Sequence, residues 1–253
     1  MSYRNTPMSA EAWQRFLWDV AKESLPEYSL LMINGNNADV DVGTETVWDE
    51  GGVYAWIAAA TTVSIASAST NDTIAGSGAR TVKITYLTDA YVETEVTKTL
   101  TGQTEVTIAS DVFRINKIEV LTVGATGYNE GIIYCGTGTF TTGKPANVFA
   151  IMAIGKNVNT SMIYTVPAGK TAWIFKIATG IAASVAGAVN LELIHKEDSG
   201  LCHCELNPCC LGGALLPFIE IAEKSDIQID ATSAVANSSV KTTMFILLET
   251  NPT

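Results

Sequence analysis

Histidine is nearly absent: this chain of 253 residues holds two, His195 and His203. A Ser-His-Asp or Cys-His nucleophilic centre needs one of them as its base. His195 closes the run Leu191-Glu-Leu-Ile-His195 beside Lys196-Glu197-Asp198, which reads as a solvated strand end. No G-x-S-x-G, P-loop, H-E-x-x-H or dinucleotide fingerprint occurs. Gly76-Ser-Gly78 lacks the strand-to-helix setting that a phosphate cradle requires. The expectation is a protein that is not an enzyme and carries no cofactor.

Charge is scarce as well. Charged residues make up 16% of the chain, against ~25% in ordinary soluble domains. A low-charge surface fits either a large core or a face covered by neighbouring subunits. The scarcity is sharpest for positive charge, with 15 Lys+Arg against 26 Asp+Glu and a net charge of −11. Such a chain repels phosphate backbones and has no Lys/Arg cluster, so direct nucleic-acid binding is not expected. Long apolar runs are missing too. Stretches such as Met244 to Leu248 are strand-sized, far below the ~18 residues of a membrane span. The first twenty residues have none of the apolar length of an export signal. A soluble compartment and no membrane contact are expected.

What replaces charge is Thr, Ser, Asn and Gly, a composition that leans toward sheet because β-branched Thr sits well on a solvated strand face. The first ~30 residues are the exception. Ser9-Ala10-Glu11-Ala12 has the form of a helix N-cap, and Trp13, Phe16, Leu17 and Val20 then recur at helical spacing up to a stop at Pro26. So short an amphipathic helix needs a surface to dock on, either its own β domain or a neighbouring subunit. These four residues are therefore the partner-docking candidates. Asn34 to Gly43 (NGNNADVDVG) reads as a polar connector.

Period-2 patterns follow. Val82, Ile84 and Tyr86 alternate with polar neighbours, as do Val106 and Ile108, and Ile118 and Val120. Phe113 and Ile115 have the opposite parity to Ile118, which predicts a bulge near Asn116. Gly136 to Pro145 (GTGTFTTGKP) is the candidate domain boundary. Beyond it lie seven candidate strands: 148–154, 162–166, 171–177, 189–194, 215–221, 226–231 and 241–248. That number approaches the eight of a jelly roll. The expected class is all-β, with two β-sandwich or jelly-roll-like regions after a short N-terminal amphipathic helix. The division is 1–43 (helix and arm), 44–140 (first sandwich) and 141–253 (second, jelly-roll-like).

Two stretches of the second half carry a resemblance. Tyr164-Thr-Val-Pro-Ala-Gly-Lys170 turns into Thr171-Ala-Trp-Ile-Phe-Lys-Ile177, and Ile219-Glu-Ile-Ala-Glu-Lys-Ser-Asp226 turns into Ile227-Gln-Ile-Asp230 before a closing strand Thr243 to Leu248. Pro and Gly give the first turn its geometry. Together they resemble the jelly-roll domains of phage and viral structural proteins. Trp48-Asp-Glu-Gly-Gly-Val-Tyr54, Ala60 to Ser69 and Leu100 to Ile108 are similar to segments of virion proteins of marine and freshwater tailed phages. The resemblance spans residues 45 to 250 and implies a head decoration or cement protein. Its partner would be the major capsid protein, its form a homo-oligomer (trimer or dimer), and its location the capsid surface after assembly in the host cytoplasm. The alternative is a tail or fibre module that binds host glycans through exposed Tyr91, Tyr128 and Phe140. No functional residue carries over from the family.

Cys202, His203, Cys204, Cys209 and Cys210 lie outside that pattern. Four thiols and an imidazole are zinc-ligand chemistry, but the spacers are one and zero residues, whereas structural sites usually use two. Disulfide formation and free thiols in a loop stay open beside it. Cys135, in Ile132-Ile-Tyr-Cys135, reads as core. Glu93 and Glu95 share a strand face among threonines and read as solvated rather than as a glycosidase pair. Asp39-Val-Asp41 lacks the further oxygens of a calcium loop and reads as an exposed turn.

Overall fold

A computed structural model describes residues 9–185, 188–197, 200–206 and 218–252, with residues 197 and 200–206 described by backbone alone. It opens with α1 (Ala10–Ala21). Ser9 is extended and its Oγ accepts the Ala12 N–H at 3.2 Å, satisfying one orphan donor of the first turn. The helix stops five residues before Pro26, and Glu23 turns the chain at a φ of 57°.

Sixteen strands follow among the described residues. β1 (Tyr28–Val40) and β2 (Gly43–Thr46) come first. Next are β3 (Thr61–Ser67), β4 (Ala79–Leu87), β5 (Glu93–Thr99), β6 (Val106–Val112), β7 (Arg114–Val123), β8 (Ile133–Thr137) and β9 (Asn147–Met152). The last group is β10 (Ile163–Thr165), β11 (Lys170–Ala182), β12 (Val189–Glu197), β13 (Gly200–Leu206), β14 (Ile219–Ile221), β15 (Asp226–Ser233) and β16 (Ser238–Thr250). The class is all-β with a short N-terminal helix.

The strands form four antiparallel sheets, ordered β1-β16-β11-β14, β10-β15-β12-β13, β6-β3-β8-β9 and β5-β4-β7. The first two share one core, in which Ile174, Met244 and Ile246 of one sheet meet Leu191, Leu193 and Ile229 of the other. The last two share a second core, in which Val63, Ile65 and Ile133 meet Val82, Ile84 and Ile118. Each sheet thus buries one face against a partner sheet, as period-2 patterning demands. A smaller aromatic cluster, Trp48, Tyr54, Tyr134, Ile151 and Ile163, draws on residues of both units.

Pairing runs across the divisions suggested by the sequence. β1 pairs with β16 from Tyr28↔Glu249 to Asn37↔Val240, so chain from both ends builds the larger unit. β3 to β9 form a smaller unit inserted between β2 and β10. The Asn34 to Gly43 connector is a strand as far as Val40. Its irregularity is confined to a register shift between Asn37 and Val40, and buried Asn37 spends its amide on Glu45 and the Thr46 carbonyl. Gly136 to Pro145 is a turn within one sheet, since β8 and β9 pair with each other. Of the seven candidate strands after residue 145, the first (β9) belongs to the smaller unit. The larger unit draws instead on β1 and β13, both unforeseen. The expected bulge is present: Thr85 faces Lys117 and Tyr86 faces Ile115, leaving Asn116 as the extra residue.

Candidate interaction surfaces

The two units meet on a buried polar junction centred on Arg114, the first residue of β7. Its Nε and Nη2 donate to the two carboxylate oxygens of Asp226 on β15, at 2.8 and 2.7 Å. Nη1 donates to the carbonyls of Ile57 and Phe113 at 2.7 and 2.8 Å. The guanidinium lies over the Phe113 ring, 3.9 Å from its centroid. Asp226 accepts a further bond from Thr165 Oγ1 at 2.6 Å. Both charged side chains are about nine-tenths buried (8% and 11% exposed), so the pair is tolerated because nearly every donor and lone pair is used. Around it, bulged Asn116 exchanges two hydrogen bonds with the Thr165 backbone. The Trp56 indole donates to Gln228 at 2.8 Å. Burial pushes the Tyr54 phenol above its ordinary range, and its OH donates to the Phe149 carbonyl.

Beside this junction runs a groove of about 370 Å³. It is lined by six consecutive residues of β1, Ser29 to Asn34, and by Glu93 and Glu95 of β5 and Lys117 of β7. Ser161 and Tyr164 also line it; they are 5% and 4% exposed. Neither hydroxyl has a hydrogen-bond partner. Desolvation raises the Tyr164 phenol, reinforced by the negative charge of Glu93. Sequence reasoning missed this surface, because its parts come from residues 29 to 34, 93 to 95, 117 and 161 to 164.

The helix residues singled out by periodicity come together on this chain's own sheet. Phe16 and Val20 are buried in a cluster with Phe175 and Leu247, with Trp13 and Leu17 packed against it. Trp13 stacks on Phe16 and meets Phe175 and Phe218 edge-on. Trp18 is 61% exposed.

Cys202, His203 and Cys204 fall on β13, opposite His195, Ile194 and Leu193 of β12. Cys209 and Cys210 lie outside the described residues. The expected loop is therefore a strand over its first part. No group of three or more potential metal ligands occurs among the described residues. His195 is buried rather than solvated, because it shares the inward face of β12 with the core residues Leu191 and Leu193. Cys135 is fully buried, and burial pushes its thiol up.

Glu93 and Glu95 share the exposed face of β5 and pair with Lys170 and Lys83 at 3.8 and 3.1 Å. Of the three aromatics, Tyr128 is exposed, while Tyr91 packs edge-on against Phe113 and Phe140 is half-buried. Asp39 and Asp41 are exposed, and their backbone N–H groups donate to Asn37 and Glu45.

No family model matches the chain, and no curated protein matches it. Among solved structures, it is similar to the Gt and Gx strains of infectious bursal disease virus at 12% and 11% identity. Each alignment covers 90% of this chain and 78% of that chain, with TM-scores of 0.18 and 0.19. A mutant VP2 protein of the same virus, in derived T=1 particles, is 12% identical over 100% of this chain and 81% of that chain, with a TM-score of 0.19. Likeness at that level carries no argument about this protein.

Proposed function

We propose that the chain is a non-catalytic structural protein of a virus particle, most specifically a decoration or cement protein on the head of a tailed phage. The reading rests on strand order. In the larger unit, β1-β16-β11-β14 faces β10-β15-β12-β13, and the connections from β1 through β12, and again from β13 to β16, cross from one sheet to the other. That order corresponds to a jelly roll, the eight-strand double Greek key that recurs in viral capsid and lectin domains. The step from fold to role is an analogy. The low charge of the chain and a groove bordered by an open strand edge support a molecule that works through contacts with neighbours. The partner in this reading is the major capsid protein, engaged by a homo-oligomeric form whose many weak contacts add over a repeating lattice.

The test is cryo-EM localisation with protein counting in purified particles. Hundreds of copies on the outer head surface are the expected result. A handful of copies on the tail, with binding on a glycan array, would replace this reading with the glycan-binding one.

A further inference from the structure

We propose that the groove along β1 is a docking site for a single extended strand of another polypeptide, which adds to the β1-β16-β11-β14 sheet at its open edge. The inference stands on the groove's own geometry and does not depend on the virion reading.

β1 ends its sheet and has β16 as its strand partner on one side only. Side chains of a strand alternate between faces, so a ligand resting on a face would touch every second residue. Here six residues in succession, Ser29 to Asn34, line the groove, so the approach is edge-on. Over these six residues, about 20 Å of strand, alternate residues turn their backbone N–H and C=O groups away from β16 and leave them unpaired. The groove lining ends at Asn34; the next residue, Gly35, is buried, with Met162 and Val47 packed against one of its faces, where a Cβ would lie 2.6 Å from the Met162 side chain and 2.8 Å from the Val47 carbonyl oxygen.

The hydroxyls of Ser161 and Tyr164 give the second, independent sign. Both are buried, both line the groove and neither has a partner. Buried polar groups are normally hydrogen-bonded; both hydroxyls are closed to solvent in the free chain, so an arriving main chain or short polar side chain satisfies them as these side chains turn toward it. The occupant follows from the shape and charge of the wall. Glu93, Glu95 and Lys117 also line the groove, and charged side chains beside a strand edge disfavour its flat pairing with the β1 edge of a second copy. The charges at the groove are already matched within the chain, Glu93 by Lys170, Glu95 by Lys83 and Lys117 by Glu119. The strand that fits is thus uncharged, rich in Thr, Ser and Val, and held mainly through its backbone, as in recognition by strand addition.

The probe is a capped peptide, Thr-Val-Thr-Ser-Val-Thr, titrated into the full chain while amide hydrogen exchange is followed. Saturable one-to-one binding is expected, with exchange slowed roughly tenfold at alternate residues between 29 and 34. The same peptide N-methylated at alternate amides should not bind. Tyr164→Phe and Ser161→Ala should weaken binding roughly tenfold without lowering the melting temperature of the free chain. The proposal is overturned by absence of saturable binding at millimolar peptide, by binding indifferent to N-methylation, or by protection confined to other residues. A dimer of the chain alone that protects residues 29 to 34 overturns it in favour of a copy-to-copy contact.

Discussion

Glu45 organises the return from β1 to β2 through three donors. Its Oε2 accepts from Asn37 Nδ2 and the Gly52 N–H, both at 2.9 Å, and its Oε1 accepts from the Asp41 N–H at 3.1 Å. Partial burial raises its carboxyl pKa, but the three donors outweigh it and hold the group below the usual carboxylate range. A depressed folded-state pKa adds stability above the unfolded-state value of about 4.3, and that stability is lost as pH falls through the folded value. Glu45→Gln should therefore cost about 1 kcal/mol at neutral pH. Melting curves of the two proteins from pH 7 down to 3 should converge at the acid end; a gap constant with pH would refute the assignment. In the sequence, Glu45 is one acid in a polar stretch. Its three donors lie within eight residues of it, and the reversal of the chain from β1 into β2 and the turn at Gly51 and Gly52 bring them onto it.

At the level of elements, α1 is held by what lies beneath it. Twelve residues are too few for a stable isolated helix, and the outer face of the sheet supplies Phe175, Leu247 and Tyr28 against Phe16 and Val20. Phe16→Ala should cost about 3 kcal/mol and expose residues 10 to 21 to limited proteolysis while the β-sheet circular dichroism persists. Loss of the sheet signal along with the helix would show that α1 is integral to the larger unit. The helix was legible down to its cap, because periodicity and capping are local. The bulge at Asn116 was legible from a change of parity in β7. β1 was not: Asn34, Gly35, Asn36 and Asn37 are poor strand formers, and their strand exists because a C-terminal partner more than 200 residues away offers a continuous ladder.

At the scale of the molecule, two cores are joined by the Arg114–Asp226 pair and the hydrogen bonds around it. Arg114→Ala leaves a buried carboxylate without its cation and should cost about 3–5 kcal/mol. In calorimetry, the native chain should unfold in one transition and the variant in two, as the units uncouple. A single transition in both would mean that the aromatic contacts of Trp48, Tyr54 and Tyr134 carry the coupling. A lone arginine between Phe113 and Ile115, in an otherwise alternating strand, was the available sign that this position is special. Its partner, 112 residues away, had none.

The sequence by itself determined the class of the protein: strands of period two and one capped helix with a buried stripe. These properties are written in neighbouring residues and need no partner to be read. Tertiary structure alone decided which strands share a sheet, that residues 28 to 40 complete the unit built by the C-terminal half, and that one unit is inserted within the other. It also brought an open strand edge, two unpartnered hydroxyls and a charged wall into one groove. Pairings of this kind are set by burial summed over distant segments, and a strand's own residues do not name the partner that will bury them.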